Sequence, residues 1–224
     1  LGLSGQINVN ELVHQKAADI LKTIQDLDLY PSVECGIVSA LLDLKAKVRN
    51  IPFHQLFTAQ SVKSIPCNAL IGLENRTITS DAVLKAVKKG FDCIKLKFGR
   101  PEFELDHEVL RSAVEAAGPD MLFRLDVNAG WNYEQAQGHL NSLADYPVDY
   151  IEQPLPAGQI DQLNRLQIES SIPIALDESI SHVNSWDTFF KQFSLRALVI
   201  KPTVHGLFFL SPEFQKKKKK HTVR

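Results

Sequence analysis

Six charged side chains close a series of short apolar runs in this chain. The runs read CIKLKF, MLFRLDVN, DYIEQP, IALDES and ALVIKP, and their charged ends are Lys95 with Lys97, Asp126, Glu152, Asp177 and Lys201. Three carboxylates suit a hard divalent cation. Magnesium takes few of them and keeps positions for water and substrate. Asp126, Glu152 and Asp177 are therefore the expected metal ligands, with Mg2+ as the cofactor and Mn2+ able to replace it. A lysine beside such a metal, or out of water, has its pKa lowered and can accept a proton near neutral pH. The metal stabilises the enolate that results. These residue types together predict proton abstraction next to a carboxylate, on a small-molecule carboxylate substrate.

The spacing says which elements hold these groups. From Lys97 onward the steps are 29, 26, 25 and 24 residues, the length of one strand, one helix and two loops. A chain repeating strand and helix at this period builds a parallel sheet with helices outside. Closed on itself, such a sheet is a barrel with its chemistry at the C-terminal strand ends. The expected class is α/β, a partial TIM-type (β/α) barrel of about six strands. Its strands are read at 65–71, 91–98, 121–127, 148–152, 172–176 and 196–201. Helices are read at 80–90, 102–117, 132–145, 158–169 and 182–192. Gly90 and Gly118 suit helix C-caps; Thr79-Ser80-Asp81 and Asn132 suit helix starts.

Strand parity groups the side chains. Lys95 and Lys97 share one face with Arg124, Asp126 and Asn128, while Leu96, Leu125 and Val127 take the other. In a barrel the shared polar face is the lumen. Each charge also has a plainer reading. Lys95 and Lys97 could decorate a solvated edge strand, and each acid could be a helix cap or a loop charge, Asp177-Glu178-Ser179 above all. Three acids at three successive strand ends would then be accidental.

Composition bounds the rest. The 224 residues are 44% hydrophobic and 23% charged, with a net charge of −1. That is ordinary for a globular protein and gives no electrostatic case for nucleic acid or a membrane surface. No apolar run reaches the ~18 residues that a membrane span needs. Cys35, Cys67 and Cys93 are three in number and far apart, which favours buried free thiols in a reducing compartment over disulfides or zinc.

Before the barrel, residues 9–28 have helical spacing at Leu12, Val13, Ala17, Ile20, Leu21 and Ile24. A second helix opens at Pro31, buries Val33, Ile37, Val38, Leu41, Leu42 and Leu44, and ends before Pro52. Three regions follow: 1–64, a helical cap remnant; 65–205, the partial barrel; and 206–224, a lysine-rich tail. The tail's five consecutive lysines repel one another; a basic tail for acidic partners is one reading, and the abrupt loss of pattern favours the other, translation of an adenine-rich stretch. An open six-stranded segment exposes edges on its first and last strands. Self-association, poor solubility and impaired turnover are expected of these residues alone.

The KxK, DxN, EQP, DES and KP pieces resemble the enolase superfamily, in its muconate-cycloisomerase-like branch, whose lysine bases work with magnesium. Within it, FRLDVNAGW, YIEQPLPAG, PIALDESI and VIKPTVHG are most similar to the o-succinylbenzoate synthases. These are lyases that dehydrate a cyclohexadiene carboxylate in menaquinone and phylloquinone synthesis. The resemblance covers about residues 30–206. It implies that Lys97 takes the α-proton and returns it to the leaving hydroxyl. Lys95 would help hold Lys97 deprotonated and contact the substrate carboxylate, and Lys201 would stabilise the enediolate. Arg124, Asn128 and Glu178 would support the metal ligands from behind. The opening strands and mobile loop of the family's capping domain, and its last two barrel strands, have no counterpart in this sequence. His205 replaces a residue that is more often apolar or small. The same residues would serve dipeptide epimerisation or N-acylamino-acid racemisation, and a non-catalytic fragment is the other alternative. The resemblance places the protein in cytoplasm, or in plastid stroma for a photosynthetic eukaryote.

Overall fold

The computed structural model describes residues 8–58, 64–183, 185–194 and 196–206. They fall into two compact units, one drawn from the chain up to Ile65 and from Ile200 onward, the other from Pro66 to Val199. The lysine-rich tail lies outside the described residues.

The first unit is helical: α1 (Val9–Leu12), α2 (Ala17–Gln25), α3 (Pro31–Val48), a 3-10 turn at Phe53–Leu56 and α9 (Pro202–His205). The helix expected over 9–28 is broken. Lys16 is extended (φ −68°, ψ 153°) and starts α2 afresh. Leu12, Ile20, Leu21, Ile24, Val38, Leu41 and Leu42 form the core, with helical spacing on α2 and α3. Two expected core residues are corrected. Val33 and Leu44 are 43% and 40% exposed, while Lys45, next to Leu44, is 1% exposed. The reason is tertiary: the Lys45 ammonium donates to the Val13 carbonyl at 2.8 Å, which satisfies the C-terminal end of α1.

The second unit is a six-stranded sheet in the order β1 (Ala69–Ile71), β2 (Cys93–Lys97), β3 (Leu122–Asp126), β4 (Val148–Glu152), β5 (Ile174–Leu176) and β6 (Ala197–Leu198). All five pairings are parallel. The crossovers are α4 (Arg76–Lys88), α5 (Phe103–Ala117), α6 (Tyr133–Leu143), α7 (Ile160–Glu169) and α8 (Trp186–Gln192). This is the expected partial (β/α) barrel.

One strand face carries Ile94, Leu96, Phe123, Leu125, Ile151, Ile174 and Leu176, all within 1% of full burial. Burial of a side chain of this size stabilises the fold by about 1.5–3 kcal/mol. The other face carries Lys95, Lys97, Arg124, Asp126, Tyr150 and Glu152, as strand parity requires.

Local signals account for the helix ends. Asn132 caps α6 in a reciprocal pair with Gln135. Gly90 and Gly118 take left-handed φ of 80° and 84° just past α4 and α5. The expected start of α4 at Thr79-Ser80-Asp81 is corrected. Asn75 caps the helix a turn earlier by accepting the Ile78 N–H, and Thr79 lies buried inside it. The three cysteines form no disulfide among the described residues, but only Cys93 is buried; Cys67 is exposed.

Candidate active site

Register brings the charged groups level. Lys97 pairs with Asp126 across β2 and β3, and Asp126 pairs with Glu152 across β3 and β4. A one-residue irregularity opposite Phe123 and Arg124 makes that second alignment possible, because β4 slips past Asp149. Asp177 stands differently. Glu152 pairs with Ala175, so Asp177 lies two residues beyond that level, at the turn into a 3-10 helix over Glu178–His182.

The polar groups are tied together. The Lys95 ammonium donates to both Glu152 oxygens at 2.7 Å and lies 2.9 Å from Asp126 Oδ2. Lys97 donates to the same Asp126 oxygen at 2.8 Å and to Asn128 Oδ1 at 2.5 Å. The Asn128 amide in turn donates to Glu178 Oε1 at 3.3 Å. Asp126, Glu152 and Asp177 are each at most 2% exposed. Asn128, Ala129 and Gln153, next to these acids, have left-handed φ of 48°, 61° and 41°. Residues with a Cβ hold such angles where their surroundings impose them, and such strain gathers at functional sites.

Arg124 goes elsewhere. Its guanidinium donates to Asp149 and Asn68 at 3.0 Å each and lies 5.0 Å over the Tyr150 ring. The structure thus brings Lys95, Lys97, Asp126, Asn128, Glu152 and Glu178 into one network and ties Arg124 to a separate one. Lys201 groups with the helices of the first unit, where its N–H donates to His205 Nδ1 at 3.1 Å.

The electrostatics follow from these contacts. Burial alone would lower Lys95, but hydrogen bonds to Glu152 and Asp126 outweigh it and hold the ammonium above the usual lysine range. Burial likewise opposes charge on Asp126, yet Lys97 and Lys95 keep that carboxyl below the usual range. Glu152 moves up: burial raises it, Lys95 opposes, and Asp126 and Asp177 add like-charge repulsion. Asp177 is therefore near enough to Glu152 to be felt.

Among the described residues no three His, Cys, Asp or Glu side chains stand grouped as a metal sphere. The bridging cation between Asp126 and Glu152 is the Lys95 ammonium. The donor chemistry nonetheless fits a hard divalent ion: the acids offer only oxygen, and Asp126 Oδ1 is buried with no hydrogen-bond partner among the described residues.

Two supporting residues carry no sequence signal of their own. Asp106, 1% exposed, accepts the Gly99 and Arg100 N–H groups at 2.6 and 2.7 Å and the Arg100 guanidinium at 2.8 Å. It fixes the loop that follows Lys97. Asp149 holds Arg124 only because β4 is irregular there.

Residues 79–206 match the family described as Enolase C-terminal domain-like, over more than half of the chain, and the chain belongs to this family. A hydrophobic dipeptide epimerase of Roseobacter litoralis is 31% identical over 180 residues, 78% of this chain and 52% of that protein. An o-succinylbenzoate synthase of Desulfotalea psychrophila is 28% identical over 182 residues, 80% of this chain and 49% of that protein. The chain spans about half the length of these relatives. A crystal structure of the dipeptide epimerase from Enterococcus faecalis V583, complexed with Mg and L-Leu-L-Tyr, superposes with a TM-score of 0.82 at 21% identity. It covers 100% of this chain and 67% of that one, a likeness of fold. Members of the superfamily are enzymes; lyases, epimerases, racemases and cycloisomerases all occur among the relatives. Among the described residues no helix is long and apolar enough to cross a membrane.

Proposed function

We propose that this chain carries the machinery for removing a proton α to a carboxylate in a small organic acid. The observation that supports it most is Lys97. It is a half-exposed ammonium on the polar strand face, held between Asp126 and Asn128, with buried Glu152 tied to the same Asp126 through Lys95. Asp126, Glu152 and Asp177 would hold a divalent metal, Mg2+ or Mn2+. When bound, that metal would draw charge from the substrate carboxylate and lower the cost of the α-carbanion.

Lys97 accepts the α-proton once it is neutral, and Asn128 aims it. Glu178, bonded to Asn128, supports that aim. Lys95 neutralises Asp126 and Glu152 with all three of its N–H donors; the resemblance alone assigns it a contact with the substrate carboxylate. The role of Lys201, stabilising the enediolate, rests on the resemblance alone.

The finer reading is dehydration of a cyclohexadiene carboxylate to o-succinylbenzoate, with Lys97 returning its proton to the departing hydroxyl so that water leaves. The Lys201-Pro202-Thr203 sequence supports it. The epimerase reading has its own support in the 31% identical relative. There the proton returns to the opposite face of the same carbon, and Lys201 would have to deliver it.

The test is magnesium-dependent exchange of the α-hydrogen in D2O, run with the cyclohexadiene acid and with hydrophobic dipeptides. Lys97→Ala is expected to cut exchange by about 10²–10⁴-fold, the range of general-base catalysis, while Mn2+ still binds. Normal exchange in Lys97→Ala would reject the role. Lys201→Met then separates the readings. An epimerase keeps exchange but loses inversion, whereas a dehydratase loses product with the cyclohexadiene acid.

A further inference from the structure

Gln153 follows Glu152 directly and is 0% exposed. Every polar position of its amide is used. Oε1 accepts the backbone N–H of Asp177 and that of Ser179, both at 3.1 Å. Nε2 donates to the Leu155 carbonyl at 2.8 Å and to Ser179 Oγ at 2.7 Å. Two N–H donors face one atom and a carbonyl faces the other, so the partners fix which is oxygen.

The ladder shows why this side chain is needed. The Ile151 N–H donates to the Pro173 carbonyl and the Gln153 N–H to the Ala175 carbonyl, the regular parallel pattern. The next bond in that pattern would run from the Asp177 N–H to the Gln153 carbonyl. That carbonyl is turned away by the left-handed φ of 41° and instead accepts the Ala129 N–H at 2.7 Å. The side-chain oxygen of Gln153 takes over the missing ladder bond. It thereby satisfies the backbone N–H of the residue that bears the third acid.

We infer that Gln153 is a positioning residue: its amide clamps the turn carrying Asp177 to the strand end carrying Glu152. It thereby sets the spacing of these two acids and, with it, the affinity for a divalent cation. The clamp stands on the hydrogen bonds; its consequence for the cation rests on the function proposed above.

The experiment uses the full chain, Mn2+ as probe, and backbone amide hydrogen exchange. Gln153→Met keeps the length of the side chain and removes all four bonds. It is expected to weaken Mn2+ binding by about 10–100-fold, as loss of a ligand's supporting contacts does, and to speed exchange at Asp177 and Ser179 relative to other buried amides. Ser179→Ala removes one bond of the four and keeps the fold within reach should Gln153→Met fail to fold; it is expected to weaken Mn2+ severalfold. Gln153→Glu keeps the two accepted bonds and is expected to stay nearer to wild type than Gln153→Met. A lower unfolding midpoint with unchanged Mn2+ affinity and unchanged exchange at both amides would overturn the inference. Wild-type chain that binds no Mn2+ would overturn the proposed function as well; wild-type binding matched by both Gln153→Met and Ser179→Ala would overturn this inference alone.

Discussion

Lys45 and Lys95 are both withdrawn from water, and their pKa values move in opposite directions. Lys45, in the helical unit, is 1% exposed and bonded to one carbonyl; burial lowers it, and Arg49 adds to the effect. Lys95, in the sheet unit, meets two carboxylates within 2.9 Å and is raised in spite of its burial. A neutral acceptor satisfies an ammonium's geometry but not its charge, whereas an acid does both. Lys45 caps a helix end and has a structural role. Lys95 offsets a concentration of negative charge that the fold has no other reason to gather.

The sharpest way to break this contrast is Lys95→Met in metal-free buffer. Asp126 and Glu152 stay buried, Lys97 alone remains to neutralise them, and the loss is expected at about 3–5 kcal/mol, as when a buried ion pair loses one partner. Urea unfolding measures it, and a loss under ~1 kcal/mol would remove the distinction between the two lysines. Added Mg2+ is expected to recover part of the stability, since it would supply the missing charge.

Lys45→Met should do far less. The Val13 carbonyl loses its donor while the chain is spared the cost of burying an ammonium, so the net change is expected within about 1 kcal/mol. A loss comparable with that of Lys95→Met would show that Lys45 carries charge-dependent work of its own.

The smallest effect is the easiest to titrate. His139 stacks on Phe103 at 3.8 Å and meets Trp131 edge-on at 4.8 Å. Burial lowers its pKa, only partly opposed by Glu104, so it belongs with Lys45. A base whose folded pKa is depressed binds its proton more readily unfolded. Its stabilising contribution is whole above the unfolded histidine value of ~6.5 and is lost as pH falls below it. The unfolding midpoint should drop between about pH 7.5 and 5.5, and His139→Leu should flatten that drop. A slope unchanged in the variant would remove His139 from the group.

The fold was legible because its signal is repeated: an apolar run with a charged end, five times over, at nearly one interval. Parity put Lys95, Lys97, Asp126 and Asn128 on one face together with Arg124, and Glu152 was read from its place at a strand end. What escaped depends on partners distant in sequence. Lys45 is buried because a carbonyl lies 32 residues back, and helical spacing assigns that place to Leu44. Arg124 is drawn off by Asp149, which strand parity cannot foresee because β4 is irregular there. Asp177 looks equivalent to Asp126 and Glu152 in the text of the chain, yet it stands past the end of its ladder on a turn.

The strands pair in the order in which they occur, each with the one before it. A ribosome therefore delivers this sheet ready to assemble, one unit at a time. Each closure spans a similar length of chain, and doubling that length would add only ~0.6 kcal/mol. Charge arrives in a fixed sequence too. Lys95 and Lys97 precede Asp126, which precedes Glu152, which precedes Asp177. Asp126 and Glu152 are thus synthesised after the lysines that receive them, and the growing edge need not bury these two carboxylates side by side before an ammonium is in place.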